Sequence, residues 1–169
     1  MIGLLERIPD GLEEILAVYG TPGFVEEGRF VPSQAWIREN LRRFNLSFPL
    51  HESWAPYRTL TSFLAHRLVG DAMVDALEEI REYYGLGRMQ QHGLDYYGGV
   101  YNPRLKTGGD EPSLHAFAVA IDYCPALGPY GEPSRMPWVV VEAFTKRGFE
   151  WGGLWQIRDG MHWQMATGF

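Results

Sequence analysis

The chain reads as a single α+β domain in which N-terminal helices are followed by a small antiparallel sheet with one packed helix. Three observations predict this. With 169 residues, 46% hydrophobic and 21% charged, the chain can bury a core of its own and has the length of one domain. Up to residue 88, apolar residues recur at near-helical spacing. From Met89 onward, glycine-rich turns separate short apolar and aromatic runs, the texture of strands. The expected organisation is one domain over 1–169, with a helical half (1–88) and a strand-rich half (89–169).

The first helix opens at Pro9-Asp10, runs through Leu12, Ile15, Leu16 and Tyr19, and is closed by Gly20. Ser33 is the N-cap of a second helix reaching about Phe44. A longer helix is expected from Thr61 to Tyr84, carried by Phe63, Leu64, Leu68, Met73, Leu77 and Ile80; Gly70 weakens it and Gly85 and Gly87 end it. Val100–Arg104 reads as a strand running into a turn. Ser113–Cys124 reads as a buried strand, and the proline-rich Pro125–Pro137 as a loop. A helix over Trp138–Arg147 stops at Gly148. Two aromatic strands, Glu150–Ile157 and Met161–Ala166, are joined by Arg158-Asp159-Gly160.

Several function classes are excluded or disfavoured. The net charge is −6 and no basic run tracks a phosphate backbone, so nucleic acid is not an expected partner. No apolar stretch approaches the ~18 residues of a membrane span. Met1–Glu6 lacks a basic start followed by a long apolar segment, so no signal peptide is read there. The single cysteine, Cys124, allows no internal disulfide and no all-thiolate metal site. Cys124 precedes Pro125 and a loop, which suits a buried thiol better than a nucleophile at a helix N-terminus. Any metal must therefore be held by histidine and carboxylate.

Five histidines supply the candidates. His66 is expected on the long helix, partly exposed, and His51 in a loop without a motif. His92 is a cleft or supporting candidate, with a role outside the site the simpler reading. His115 and His162 stand out because each has an acid nearby. Asp122 interrupts an apolar strand, where a carboxylate is costly to bury unless paired or bound to a cation. Parity is an obstacle, because residues seven apart on a regular strand face opposite ways. A bulge, or a His115 lying just before the strand, would remove it. Zinc hydrolysis needs three protein ligands, an open position and a base. His115, Asp122 and His162 can supply the ligands and Asp159 the base. Spacing alone leaves open the alternative of an Asp122–arginine pair and a core His162.

The stretch Tyr97–Trp163 resembles the D-alanyl-D-alanine carboxypeptidase and L-alanyl-D-glutamate endopeptidase family of zinc peptidases. The resemblance is carried, in order, by Gly98-Gly99-Val100-Tyr101-Asn102-Pro103-Arg104, Ser113-Leu114-His115, Ala120-Ile121-Asp122, Phe149–Trp155 and Asp159-Gly160-Met161-His162-Trp163. One departure is Ala118-Val119, where many members carry glycine or another small residue. The resemblance implies a hedgehog/DD-peptidase-like fold and a Zn2+ ion on His115, Asp122 and His162. It implies Asp159 as general base and proton donor, Arg104 as the clamp for a substrate carboxylate, and Ser113 as a substrate-orienting hydroxyl. Trp151, Trp155 and Trp163 are groove or core residues, with core expected for at least two. The expected function is hydrolysis of peptidoglycan stem peptides by a monomer made in the cytoplasm and acting on the bacterial cell wall. An endolysin-like L-alanyl-D-glutamate endopeptidase is favoured. The alternatives are a D-alanyl-D-alanine carboxypeptidase and, from another class, a non-catalytic peptidoglycan-binding domain.

Overall fold

The computed structural model describes residues 7–169, so the expectation drawn from Met1–Glu6 falls outside the described residues. The architecture is α+β. Helix α1 (Gly11–Tyr19) buries Ile15 and Tyr19 and ends at Gly20, whose φ of 75° suits a residue without a Cβ. A small hairpin, β1 (Gly23–Glu26) and β2 (Arg29–Pro32), leads to α2 (Gln34–Asn40). Ser33 caps α2 as expected, its Oγ accepting from Trp36 N at 3.2 Å.

Here the structure departs from the sequence expectation. The second helix does not reach Phe44; the chain passes at Asn40 directly into β3 (Leu41–Glu52), paired antiparallel with β4 (Ala55–His66). The expected helix over Thr61–Tyr84 is two elements, since Thr61–His66 completes β4 and α3 begins at Gly70 (Gly70–Tyr84). Pairing explains the difference. Residues Asn45 to Leu50 alternate between exposed and buried, with Leu46, Phe48 and Leu50 inside, and the β-branched Thr59 and Thr61 suit the partner strand. The helical spacing of Phe63, Leu64 and Leu68 is a local coincidence overridden by this pairing. His51 is therefore a strand residue, and His66 is a fully buried strand end, not a partly exposed helical residue. Helix α3 itself keeps the expected face, burying Met73, Ala76, Leu77 and Ile80.

After α4 (Leu86–Gln91) come β5 (Tyr96–Gly99), β6 (Ala120–Tyr123), α5 (Trp138–Thr145), β7 (Glu150–Trp151) and β8 (His162–Gln164). These strands are shorter than expected. Val100–Arg104 has already left the sheet, Ser113–Val119 precedes the regular strand, and Gly152–Leu154 is a 3-10 turn. One six-stranded sheet, in the order β4-β3-β5-β6-β8-β7, joins the two halves of the chain. It is antiparallel except where β3 runs parallel to β5 through His51–Tyr96 and Glu52–Tyr97. The first half is thus not simply helical, because it contributes two of the six strands. Under the sheet Trp163 stacks on Phe144 with ring centroids 4.7 Å apart, and both are fully buried. Among the described residues no helix is long and apolar enough to cross a membrane.

His66 makes the fold sensitive to acid. Its ring packs against Tyr19 and Trp36, Nδ1 accepts from Leu68 N at 3.2 Å, and Nε2 has no partner among the described residues. Burial pushes its pKa down to about 4. Between that value and the unfolded value near 6.5, the unfolded chain takes up a proton that the folded chain does not, so stability falls as pH drops through this window. Going from pH 7 to pH 5, this group is expected to remove about 2 kcal/mol. Urea unfolding at both pH values measures it. His66→Gln is expected to flatten that part of the profile, and an unchanged pH dependence in the variant would refute the assignment.

Candidate metal centre

The register of β6 against β8 sets Asp122 directly opposite His162, and opposed residues project to the same face. His115 lies before β6, in the turn Leu114–Ala118, so strand parity does not apply to it. The turn is closed by Ala118 N donating to His115 O (3.2 Å) and Val119 N to Leu114 O (3.3 Å). Ala118 takes a left-handed φ of 55°. That conformation costs a residue with a Cβ roughly 1 kcal/mol, a cost that Ala118 bears and a glycine would not. The reversal brings the His115 ring back to the strand that carries Asp122.

The three side chains converge. Asp122 Oδ1 lies 2.9 Å from His162 Nδ1 and 3.3 Å from His115 Nε2, and the two nitrogens are 3.3 Å apart. Donors on a tetrahedral ion with bonds of ~2.0–2.1 Å are about 3.3 Å apart, so the spacing fits one metal ion. The ring protons point the other way. His115 Nδ1 lies 2.8 Å from Val100 O, which can only accept, so Nδ1 carries the proton. His162 Nε2 faces Gln164 Oε1 at 3.2 Å. The Gln164 amide cannot be reversed without loss, because its NH2 donates to Glu150 Oε2 (2.9 Å) and Ala166 O (3.1 Å). Both histidines therefore turn lone pairs toward a carboxylate. Three electron-pair donors facing one another are satisfied by a cation. Burial opposes charge on Asp122, but when the two imidazoles are protonated they face it with N–H groups and hold the carboxyl well below its usual range; a bound cation would take the place of those protons. Burial also disfavours the His162 imidazolium, yet Asp122 beside it raises its pKa.

The remaining expected residues surround these three in a cleft of about 590 Å³. Asp159 sits in the turn before β8, fixed by its N–H to Gly152 O (2.9 Å) and by His162 N–H to its carbonyl (3.1 Å). Its Oδ1 is buried with no hydrogen-bond partner among the described residues, and burial pushes its carboxyl up. Arg104 is placed by two backbone bonds, Asn102 N to His115 O (3.0 Å) and Ser113 N to Arg104 O (2.9 Å). Half-buried, it lines the cleft and donates to Leu105 O (3.1 Å). The Ser113 hydroxyl is buried at the cleft wall and accepts from His115 N–H at 3.3 Å.

Other candidates separate clearly. His92 is exposed at the end of α4, away from the cleft, and His51 lies on β3 near Asp95. Cys124 is buried and its thiol is pushed up to about 12 by that burial, which leaves it inert as a nucleophile. Trp155 lines the cleft, Trp163 is core, and Trp151 stacks on Trp163 while its indole donates to Gly160 O at 2.9 Å.

Gln164 and Glu150 were not singled out from the sequence. Gln164 is two residues beyond His162, on the same face of one strand, so period-two parity was the available signal. Glu150 is its cross-strand neighbour and also accepts from Trp155 Nε1 at 3.0 Å. Gly98 has a role that spacing did not reveal. A Cβ there would lie 2.7 Å from Asp122 Cβ and 2.8 Å from Asp122 O.

An α+β sheet domain with a His–Asp–His set at the base of a cleft is thus able to hold a metal ion. Residues 107–165 match the family described as D-alanyl-D-alanine carboxypeptidase, which shows the resemblance over that stretch. The matched residues include Ser113, His115, Asp122, Asp159 and His162; Gly98, Gly99 and Arg104 lie before them. No curated protein and no solved structure gives a significant match.

Two substitutions test the support of the metal centre. Gly98→Ala is expected to displace Asp122, and Gln164→Leu to free the His162 ring. Each should weaken zinc binding by roughly 10–100-fold, the usual cost of losing outer support. Competition against a chromophoric chelator measures it, and wild-type affinity in both would refute this account of the site.

Proposed function

We propose that the protein is a zinc-dependent peptidoglycan peptidase that cleaves the L-alanyl-D-glutamate bond of stem peptides. The observation that carries this reading is the convergence of His115, Asp122 and His162 beside an unpartnered Asp159, within the segment matching the peptidase family. Two imidazoles and a carboxylate form a donor set suited to zinc with a position left for water. His115, Asp122 and His162 would hold the zinc ion, which when bound would supply Lewis-acid polarisation of the scissile carbonyl and a more acidic water. Asp159 Oδ1 takes the proton of that water and delivers it to the leaving amine nitrogen. Arg104 offers its planar guanidinium to a carboxylate of the substrate, and Ser113 orients the peptide from the cleft wall. The position of the unpartnered Asp159 oxygen, in the same cleft as the three metal-competent donors, favours catalysis over a binding-only domain.

The endopeptidase reading is supported by space on both sides of the metal ligands, since a second cavity continues past His115 and Asp122. The description of the matched family favours the D-alanyl-D-alanine carboxypeptidase as the second reading. Both readings place the action on the bacterial cell wall, and the endopeptidase reading alone would serve wall lysis, as in phage release.

Asp159→Ala is expected to keep zinc bound while kcat falls by roughly 10²–10⁴. Metal analysis beside steady-state hydrolysis checks this, and full activity in the variant would remove Asp159 from the mechanism. Arg104→Ala is expected to cost about 1.5–3 kcal/mol in kcat/KM, the range for a hydrogen bond to a charged group. Mass spectrometry of digested muropeptides identifies the bond; free D-alanine with intact L-Ala–D-Glu linkages would overturn the endopeptidase assignment.

A further inference from the structure

The cleft has two arms of different chemistry. The larger, of about 590 Å³, and a second of about 330 Å³ share Arg104, His115 and Asp122, so one continuous groove passes over the metal ligands. Beyond the shared residues, the first arm holds Lys106 and Asp159, both charged. The second adds Gly98, Gly99, Tyr101, Asn102 and Trp54, none of them charged at neutral pH. Trp54 comes from the first half of the chain, at the turn between β3 and β4. Its ring leans on the buried Tyr97 at 6.0 Å between centroids, yet the residue stays 60% exposed. An indole at the mouth of a cavity whose outer lining, Tyr101 and Asn102, is polar and uncharged is a surface for a ligand with one apolar face and several hydroxyls.

We propose that the second arm binds a hexosamine ring of the glycan strand, stacked on Trp54 and hydrogen-bonded by Asn102 and Tyr101. The inference rests on the peptidase reading and adds the direction in which the substrate lies. The carboxylate-bearing part of the stem peptide takes the arm with Lys106, with Arg104 at the junction of the two, and the sugar takes the other. Distance agrees with this. A residue spans at most ~3.6 Å, so a sugar separated from the scissile bond by one alanine and its linker falls beside the metal ligands, where this arm lies. With cleavage at the D-alanine end, four residues, or up to ~14 Å, would intervene.

The test uses the zinc-loaded full chain and the disaccharide N-acetylglucosaminyl-N-acetylmuramic acid without peptide, its lactyl carboxyl capped as the methylamide so that no carboxylate is offered to Arg104. Titration is followed on the Trp54 indole N–H by NMR, assigned with Trp54→Phe. Saturable shifts of Trp54 are expected with the disaccharide and not with the free stem peptide, and Trp54→Ala should weaken disaccharide binding at least tenfold. In parallel, wild type should show a KM about tenfold lower for the glycan-bearing peptide than for the bare peptide, and Trp54→Ala should collapse that ratio. A merely structural Trp54 would lower both substrates equally, and that result, or no saturable disaccharide binding, overturns the proposal. Disaccharide binding without hydrolysis of either peptide would instead overturn the peptidase reading and leave the sugar site standing.

Discussion

The structure depends most on the opposition of Asp122 and His162 across β6 and β8, with His115 folded back onto them. Neighbouring acceptors hold the ring protons of both histidines on their far nitrogens. What remains at the centre is a set of lone pairs around an ionised carboxylate, an arrangement stable only when positive charge is supplied. Much of the local chain serves this geometry. Gly98 lets β5 lie close against Asp122, and Gly152 admits the Asp159 carbonyl, since a Cβ there would come within 2.6 Å of it. The Glu150–Gln164–His162 chain extends the support across two strands, so a short strand of three residues acts as a rigid mount.

The chemistry of the cleft was more legible in the sequence than its scaffold. Asp122 stands out because it interrupts an apolar run, where burial demands a partner, His115 and His162 because each has an acid nearby, and Asp159 because it sits in a turn three residues before His162. The parity conflict between His115 and Asp122 was real, and the turn ending in a left-handed Ala118 removes it. Helix α1, the Ser33 cap and α5 were readable because capping chemistry is local. The β3–β4 hairpin was not. Its pairing involves residues such as Leu41 and His66, 25 positions apart, and the apolar spacing around Phe63 and Leu64 fits a helix equally well until the partner strand is known. Gln164 escaped notice because glutamine is ordinarily a surface residue, and only the direction of the His162 ring gives it a purpose.

The same long-range pairing joins the two halves in function. Because β3 lies beside β5, the hairpin turn with Trp54 comes within reach of the groove over Arg104 and His115. The first half therefore shapes one wall of the cleft as well as stabilising the second.

The parallel contact between β3 and β5 has a further consequence for anyone wishing to shorten the protein. Residues 89–169 hold every metal ligand and look like a natural minimal unit. Cutting there would strip β5 of its neighbour at His51 and Glu52 and leave the backbone of Tyr96 and Tyr97 bare along one side. An open strand edge is a template for pairing between molecules, so the trimmed fragment would be prone to self-association. The hairpin thus moves the open edge of the sheet away from the strands that carry the candidate metal ligands and out to β4.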